Sequence, residues 1–180
     1  MDKQTRLRLT TLTAMFAALI LITTSYIKIP APLGYIHIGD SIVYLAASIL
    51  PGPFGFFAAS IGGAAADLLS GYPQWAIPTA IIKALNVLPF FLIKIYLNKS
   101  NTDRIINIPN LMMLLPTTLI TLTGYFAANT LLYDTGAAFA ELLPNLIQAG
   151  SSAILFTVIG LSLDSVRFKS KLTLIEKSFK

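Results

Sequence analysis

The chain contains no cysteine and a single histidine among its 180 residues. The lack of cysteine excludes disulfides, thiolate nucleophiles and cysteine-ligated metals. A single histidine excludes a metal site built from several histidines. Charge is also scarce, because only 12% of the residues are charged, whereas soluble domains average about 25%. The motifs Gly-x-Ser-x-Gly and His-Glu-x-x-His and the nucleotide-binding P-loop are missing too. We therefore expect no metal site, no catalytic residues and no enzymatic activity.

Apolar residues make up 55% of the chain, and its mean hydropathy is +0.73. Such a chain has too little charge to cover a soluble globule, and only helices or closed barrels satisfy the backbone within lipid. The apolar runs do not alternate as barrel strands do. We therefore predict an all-α membrane protein, a bundle of six transmembrane helices formed by a single domain over residues 1–180.

The predicted spans cover about 7–29, 38–50, 54–69, 77–97, 108–132 and 142–163. The second and third are short and are joined by Pro51-Gly-Pro53, which favours a tight helical hairpin. A basic segment follows at 165–180, where apolar residues recur at helical spacing. This segment is either a helix on the membrane surface or a solvated tail.

Basic residues predict the orientation of the bundle. Of the 13 lysines and arginines, 11 fall into three groups that six spans would place on one side of the membrane. The groups are Lys3, Arg6 and Arg8, then Lys94, Lys99 and Arg104, then Arg167, Lys169, Lys171, Lys177 and Lys180. Because basic loops stay in the cytoplasm, both termini are predicted to be cytoplasmic. The net charge of +5 is then a topology signal, and we expect no nucleic-acid partner.

Most other polar residues map to the opposite, outer half of the predicted bundle. Aromatic side chains that stack on a ring and amides that bind its edges are what a small polar ligand needs. Charged and polar groups are costly within a bilayer, so their presence there favours a functional site. The predicted substrate-binding residues are His37, Asp40, Asp67, Tyr72, Gln74, Trp75, Lys83, Asn86, Asn129, Asn145 and Gln148.

Each of these residues also has a structural alternative. Asp40 could cap the second span, and Lys83 could pair with Asp67 inside the membrane instead of meeting the ligand. Tyr72 and Trp75 could be aromatic residues of the membrane interface. The amides could join helices to one another.

Four segments of the chain resemble the substrate-binding S components of energy-coupling factor (ECF) vitamin transporters. They are residues 34–40 (GYIHIGD), 51–53 (PGP), 62–73 (GGAAADLLSGYP) and 78–83 (PTAIIK). The resemblance is greatest to the riboflavin-transporter-like family, which includes hydroxymethylpyrimidine-type members. It implies six spans, cytoplasmic termini and a place in the bacterial cytoplasmic (plasma) membrane.

The resemblance also implies partners and a function. An S component captures a vitamin or precursor, here a hydroxymethylpyrimidine, pyridoxine or riboflavin-like heterocycle, on the extracellular side. It then docks on an EcfT-type transmembrane coupling protein driven by two EcfA-type ATPases. This chain would itself hold no cofactor, because ATP is used by the partner subunits. Ala14 and Ala18 match the small residues on which such docking depends, although they could instead pack within the bundle.

Two other functions are the competing hypotheses. A self-sufficient small secondary transporter or channel would favour broken spans in two symmetric halves, and no such symmetry is visible in the sequence. An intramembrane enzyme could use Asp40 and Asp67 as paired carboxylates, but neither lies in a recognisable catalytic motif.

Overall fold

The computed structural model describes residues 3–31, 34–97 and 104–177. The helices are α1 Lys3–Ser25, α2 Gly39–Ile49, α3 Pro53–Leu69, α4 Ala76–Tyr96, α5 Ile108–Met112, α6 Leu114–Leu132, α7 Thr135–Ala140, α8 Leu142–Ser165 and α9 Phe168–Lys177. Two strands, β1 Lys28–Ala31 and β2 Gly34–His37, and a 3₁₀ turn, Pro73–Trp75, complete the described elements. Lys99 and Lys180, which support the predicted orientation, lie outside the described residues.

Among the described residues, four helical segments are long and apolar enough to cross a membrane. They are Lys3–Ser25, Pro73–Tyr96, Ile108–Leu132 and Thr135–Ser165. Two shorter apolar helices, Gly39–Ile49 and Pro53–Leu69, accompany them. The predicted all-α membrane class is therefore confirmed, whereas six spans and cytoplasmic termini stay predictions.

Helix α2 is short because it is an interior helix of the bundle. Every residue from Gly39 to Ser48 is buried, and α2 packs against α1, α3, α4 and α8. A helix that is surrounded by protein needs neither the length of a lipid-spanning helix nor a polar face. Its first turn carries Asp40 into the centre of the molecule.

Helices α1 and α3 pack closely because α3 presents small residues to its neighbour. A Cβ atom at Gly62 would lie 2.7 Å from the carbonyl oxygen of Ala17 and 2.8 Å from the Cβ atom of Ile20. No side chain fits in this space, so glycine lets the two backbones approach.

The structure differs from the sequence prediction at the end of the first span. The predicted span runs to residue 29, but α1 ends at Ser25 and the next residues enter a two-stranded antiparallel hairpin. Lys28 pairs with His37, and Ala31 pairs with Gly34. Pro30 has no backbone N–H and cannot extend a helix, whereas it fits the edge of a small sheet. The hairpin brings the motif at 34–40 back over the end of the bundle.

Candidate functional site

A cavity lies under the β1–β2 hairpin, where the 3₁₀ turn and the adjoining ends of α3, α4, α6 and α8 also meet. Its volume is about 60 Å³, which is small beside the roughly 300–1,000 Å³ of typical ligand pockets. The lining residues are Gly34, Tyr35, His37, Asp67, Tyr72, Trp75, Thr79, Tyr125, Asn129, Glu141, Asn145 and Gln148.

Aromatic rings form a wall of this cavity. The rings of Trp75 and Tyr125 have centroids 5.7 Å apart, and those of Tyr35 and Tyr72 are 5.5 Å apart. Trp75 is only 8% exposed, so it is not a residue of the lipid interface. Offset and tilted rings of this kind can also stack on a flat heterocycle.

A buried ion pair lies immediately beneath the cavity. The Lys83 ammonium is 2.5 Å from Oδ1 of Asp40, and both side chains are almost fully buried. Asp40 Oδ2 accepts a hydrogen bond from the Gln148 side-chain amide at 3.0 Å. Gln148 in turn accepts the backbone N–H of His37 at 3.3 Å. One network therefore joins α2, α4 and α8 to the hairpin that covers the cavity.

Lys83 reaches Asp40 by passing over α3 at Gly63, a residue without a side chain. A Cβ atom at Gly63 would lie 3.0 Å from both Cγ of Lys83 and Cγ2 of Thr79. The lysine stem also places its ammonium 5.2 Å from the centre of the Tyr125 ring, where a cation is attracted to the π-face.

The partner of Lys83 is Asp40, not Asp67 as the structural alternative supposed. Asp67 instead accepts a hydrogen bond from the Tyr35 hydroxyl at 3.0 Å. Burial and the neighbouring Asp67 carboxylate raise the pKa of Tyr35, so this phenol keeps its proton.

Two buried oxygens at the cavity have no hydrogen-bond partner among the described residues: Oδ2 of Asp67 and Oδ1 of Asn129. An unsatisfied buried acceptor is costly unless a ligand or water donates to it. Both atoms belong to cavity-lining residues, and they therefore fit a ligand with N–H or O–H groups. Among the described residues, no three histidine or acidic side chains are placed to hold a metal ion.

His37 is held in one tautomer by its own backbone. Its Nδ1 accepts the N–H of Gly39 at 3.0 Å, so the ring hydrogen must be on Nε2. Burial, reinforced by the positive charge of Lys83, lowers the pKa of His37 to about 3. The imidazole is therefore neutral at physiological pH and offers the cavity a hydrogen-bond donor.

Because His37 is the only histidine in the chain, its titration can be followed directly by ¹⁵N NMR of histidine-labelled protein. We expect the Nε2–H tautomer and no titration between pH 8 and about 5. The unfolded imidazole takes up a proton near pH 6.5, whereas the folded one does not. The free energy of unfolding should therefore fall by up to about 1.4 kcal/mol per pH unit as the pH drops from 6.5 toward 3. A midpoint near 6.5 in the folded protein would show that His37 is exposed to solvent.

The structure brings most of the predicted site residues together at this cavity. Those that line it are His37, Asp67, Tyr72, Trp75, Asn129, Asn145 and Gln148. Asp40, Lys83 and Asn86 lie below it, fully buried and not on its wall. Gln74 is exposed, and its amide donates to the hydroxyl of Tyr133 at 3.4 Å.

Sequence reasoning missed Thr79, Tyr125 and Glu141 as lining residues. Helical spacing could have identified the first two. Thr79 precedes Lys83 by four positions, and Tyr125 precedes Asn129 by four, so each pair shares a helix face. Glu141 lies just before α8 and has no comparable signal.

The two alanines of α1 lie at the surface. Ala14 and Ala18 are both exposed, so they do not pack within the described bundle. The larger apolar residues Met15, Leu19 and Ile22 are exposed on the same helix. This face of α1 is consistent with contact to another apolar surface.

A family model described as the ECF-type riboflavin transporter S component matches residues 4–165. The chain belongs to this family. It is therefore a membrane-spanning S component of a vitamin transporter, and the family is one of transport proteins, not of enzymes. S components of this kind generally work with EcfT and EcfA subunits.

A similar protein is known from Pyrococcus woesei. It is described as an uncharacterized protein in a gap 3' region and is 36% identical over 141 residues. The matched region covers 74% of this chain and 86% of the relative. The similarity therefore extends over most of both chains.

Proposed function

We propose that this S component binds a small heterocyclic vitamin or vitamin precursor in the cavity under the β1–β2 hairpin. The observation that carries the proposal is the combination of an aromatic wall with two unsatisfied acceptors, on Asp67 and Asn129. The rings would hold a flat heterocycle, and the acceptors would select one that carries N–H or O–H groups.

The size of the cavity favours a single ring. A cavity of about 60 Å³ must expand to hold any of these ligands, and it must expand less for hydroxymethylpyrimidine or pyridoxine than for the three fused rings of riboflavin. Both single-ring compounds carry hydrogen-bond donors that could meet Asp67 and Asn129. The neutral Nε2–H of His37 would meet an acceptor on the ligand.

We further propose that the cavity faces the outside of the cell membrane. It lies at the end of the bundle where α2 begins, at Gly39. Arg8 and Lys169 lie at the other end, beside Leu50, where α2 ends. Since basic segments favour the cytoplasm, the cavity would open to the extracellular side, as uptake requires.

The orientation can be tested by labelling, because the chain has no cysteine of its own. Gly136 and Arg104 are both exposed. Gly136 lies in the first turn of α7, and Arg104 lies before α5. Gly136→Cys should react with an impermeant maleimide in intact cells, whereas Arg104→Cys should react only after the membrane is permeabilised. The reverse pattern would place the cavity in the cytoplasm.

The transport role requires partners. We propose that Ala14 and Ala18 seat a helix of an EcfT-type coupling protein, and that two EcfA-type ATPases supply the energy. In proteoliposomes the chain alone should bind hydroxymethylpyrimidine but not accumulate it. Accumulation should require the coupling protein, both ATPases and internal ATP. ATP-independent accumulation by the chain alone would instead support a secondary transporter.

Changing Ala14 and Ala18 to leucine should weaken assembly with the coupling protein and leave ligand binding unchanged. Overfilling a close helix contact costs about 1–3 kcal/mol, or roughly 5- to 150-fold in affinity. Ala127 is an exposed alanine on α6, and Ala127→Leu is the matched control. Co-purification and ligand titration would be measured on both variants. Equal assembly by both would exclude the α1 face as the docking surface.

A further inference from the structure

The Asn129 side chain presents the cavity under the hairpin with an acceptor and not with a donor. Its NH₂ group donates to the backbone carbonyl oxygen of Tyr125 at 2.9 Å. If the amide were reversed, its oxygen would face that carbonyl oxygen, so this bond sets the orientation. Oδ1 is then the atom left without a partner among the described residues, on a side chain that is almost fully buried.

Asp67 presents the cavity with a second acceptor. Its Oδ1 accepts the hydrogen of the Tyr35 hydroxyl at 3.0 Å, and this donated bond favours the ionised carboxylate. Oδ2 has no partner in the part of the chain that the structure describes. Because an ionised carboxylate only accepts hydrogen bonds, Asp67 cannot offer a donor to a ligand.

His37 presents the opposite polarity to the cavity. Its Nδ1 accepts the backbone N–H of Gly39 at 3.0 Å, so Nε2 carries the hydrogen. The imidazole could offer an acceptor through Nε2 only by losing that bond. The cavity lining therefore combines two acceptors of fixed polarity, on Asp67 and Asn129, with one donor of fixed polarity, on His37.

We propose that this cavity selects heterocycles that carry an amino group beside a ring nitrogen, and rejects the same rings when a carbonyl replaces the amino group. The inference rests on the function proposed above and specifies the ligand class of that site. The amino group would donate to Asp67 and Asn129, and the ring nitrogen would accept from His37. In the carbonyl analogue the oxygen would face the two acceptors, and the ring N–H would face the donor of His37.

Hydroxymethylpyrimidine, which carries such an amino group, and its deaminated oxo analogue form a matched pair of ligands. The two have nearly the same shape and differ chiefly in the polarity of two neighbouring positions. Calorimetric titration of the purified full-length protein in detergent should show at least about 100-fold weaker binding of the oxo analogue. The reason is that a site built to hydrogen-bond an N–H group strongly rejects an analogue that lacks it.

This comparison separates the inference from the function on which it rests. Equal affinities, or tighter binding of the oxo analogue, would overturn the inference and leave a vitamin-binding cavity standing. If hydroxymethylpyrimidine, pyridoxine and riboflavin all fail to bind, the proposed function fails as well. The comparison uses the unchanged protein, so its result does not depend on whether any variant folds.

Asp67→Asn changes the polarity of one acceptor at nearly constant size. The remaining oxygen can keep the bond from Tyr35, while the new NH₂ group faces the ligand. The preference for the amino form over the oxo form should therefore fall about tenfold or more, the effect of one buried hydrogen bond. Melting temperatures measured without ligand would show that the variant is folded. An unchanged preference would contradict the inference.

Trp75→Phe is the matched control for this change of preference. Trp75 lines the cavity through its ring, and stacking does not distinguish an amino group from a carbonyl. This variant should weaken binding of both ligands by the same factor and leave their ratio unchanged. If the ratio falls as far as in Asp67→Asn, the preference does not depend on the polarity of Asp67 and the inference fails.

A third ligand tests the contact with His37. In this analogue a C–H group replaces the ring nitrogen beside the amino-bearing carbon, and the amino group is kept. Its binding should be about 5- to 150-fold weaker than that of hydroxymethylpyrimidine, because the buried N–H of His37 loses its acceptor. Undiminished binding of this analogue would show that His37 does not bind the ring nitrogen, and would overturn the proposed pairing.

Discussion

Lys83→Ala should lower the free energy of unfolding by about 3–5 kcal/mol, the range observed when one partner of a buried ion pair is removed. The Asp40 carboxylate would be left charged in the centre of the bundle, where it is fully buried. One hydrogen bond from Gln148 cannot replace a full positive charge. Denaturant unfolding in detergent micelles, followed by circular dichroism, would measure the loss.

A double-mutant cycle separates the ion pair from the lost lysine packing. Lys83→Met keeps most of the side-chain volume, and Asp40→Asn keeps an acceptor for Gln148. Each single variant should be strongly destabilised, and the double variant should recover most of the loss because no unpaired charge is left. Lys28→Met is the surface control, since Lys28 is exposed and its contacts, with the Ser70 hydroxyl at 3.0 Å and the Tyr35 ring at 4.5 Å, lie at the surface. Additive effects of Lys83→Met and Asp40→Asn would show that the pair contributes no coupling.

The same ion pair shows how far the sequence could predict this molecule. Charged residues in an apolar chain indicate a buried network or site, and their positions in the predicted spans therefore identified Asp40, Asp67 and Lys83 as candidates. Which carboxylate pairs with the lysine depends on tertiary packing. Gly63 leaves space beside Lys83 on α3, and the burial of α2 brings Asp40 to the lysine. No spacing along the chain reveals that contact.

The helical membrane class could be predicted from hydropathy. Lipid contains no water, so every backbone N–H and C=O group must be hydrogen-bonded within the protein, as it is in a helix. The β1–β2 hairpin could not be predicted in this way, since Tyr26, Ile27 and Ile29 are apolar like α1 and only Lys28 interrupts them. The pairing depends on the return of Gly34–His37 antiparallel to β1, in which Pro30 cannot be helical. The missed element therefore supplies Gly34, Tyr35 and His37 to the lining of the cavity.

The two kinds of asparagine in this bundle give the sharpest test of the site. Asn129 lines the cavity with its Oδ1 unsatisfied. Asn86 lies below the cavity, and its side chain exchanges hydrogen bonds with Thr121 at 2.9 and 3.3 Å. The first asparagine is therefore available to a ligand, whereas the second already has its partner.

Asn129→Ala should weaken ligand binding by about 5- to 150-fold, because a buried ligand donor left without its acceptor costs about 1–3 kcal/mol. Asp67→Asn should weaken it similarly, because the remaining oxygen accepts from Tyr35 and the new NH₂ group would face the donor of the ligand. Trp75→Ala should also weaken binding through loss of stacking. Asn86→Ala should instead reduce stability by about 1–3 kcal/mol and change affinity little. Calorimetric titrations with hydroxymethylpyrimidine, pyridoxine and riboflavin would measure affinity, and thermal unfolding without ligand would measure stability.

The pattern across variants decides between a binding site and structural contacts. If Asn129 and Asp67 bind the ligand, their variants lose affinity while their melting temperatures without ligand change little. If affinity falls only in proportion to lost stability, or if Asn86→Ala weakens binding as much as Asn129→Ala, the cavity is not the binding site. The ligand series adds a test of size, since a cavity of about 60 Å³ should favour the single-ring compounds. Tighter binding of riboflavin than of the single-ring compounds would contradict a site sized for one ring.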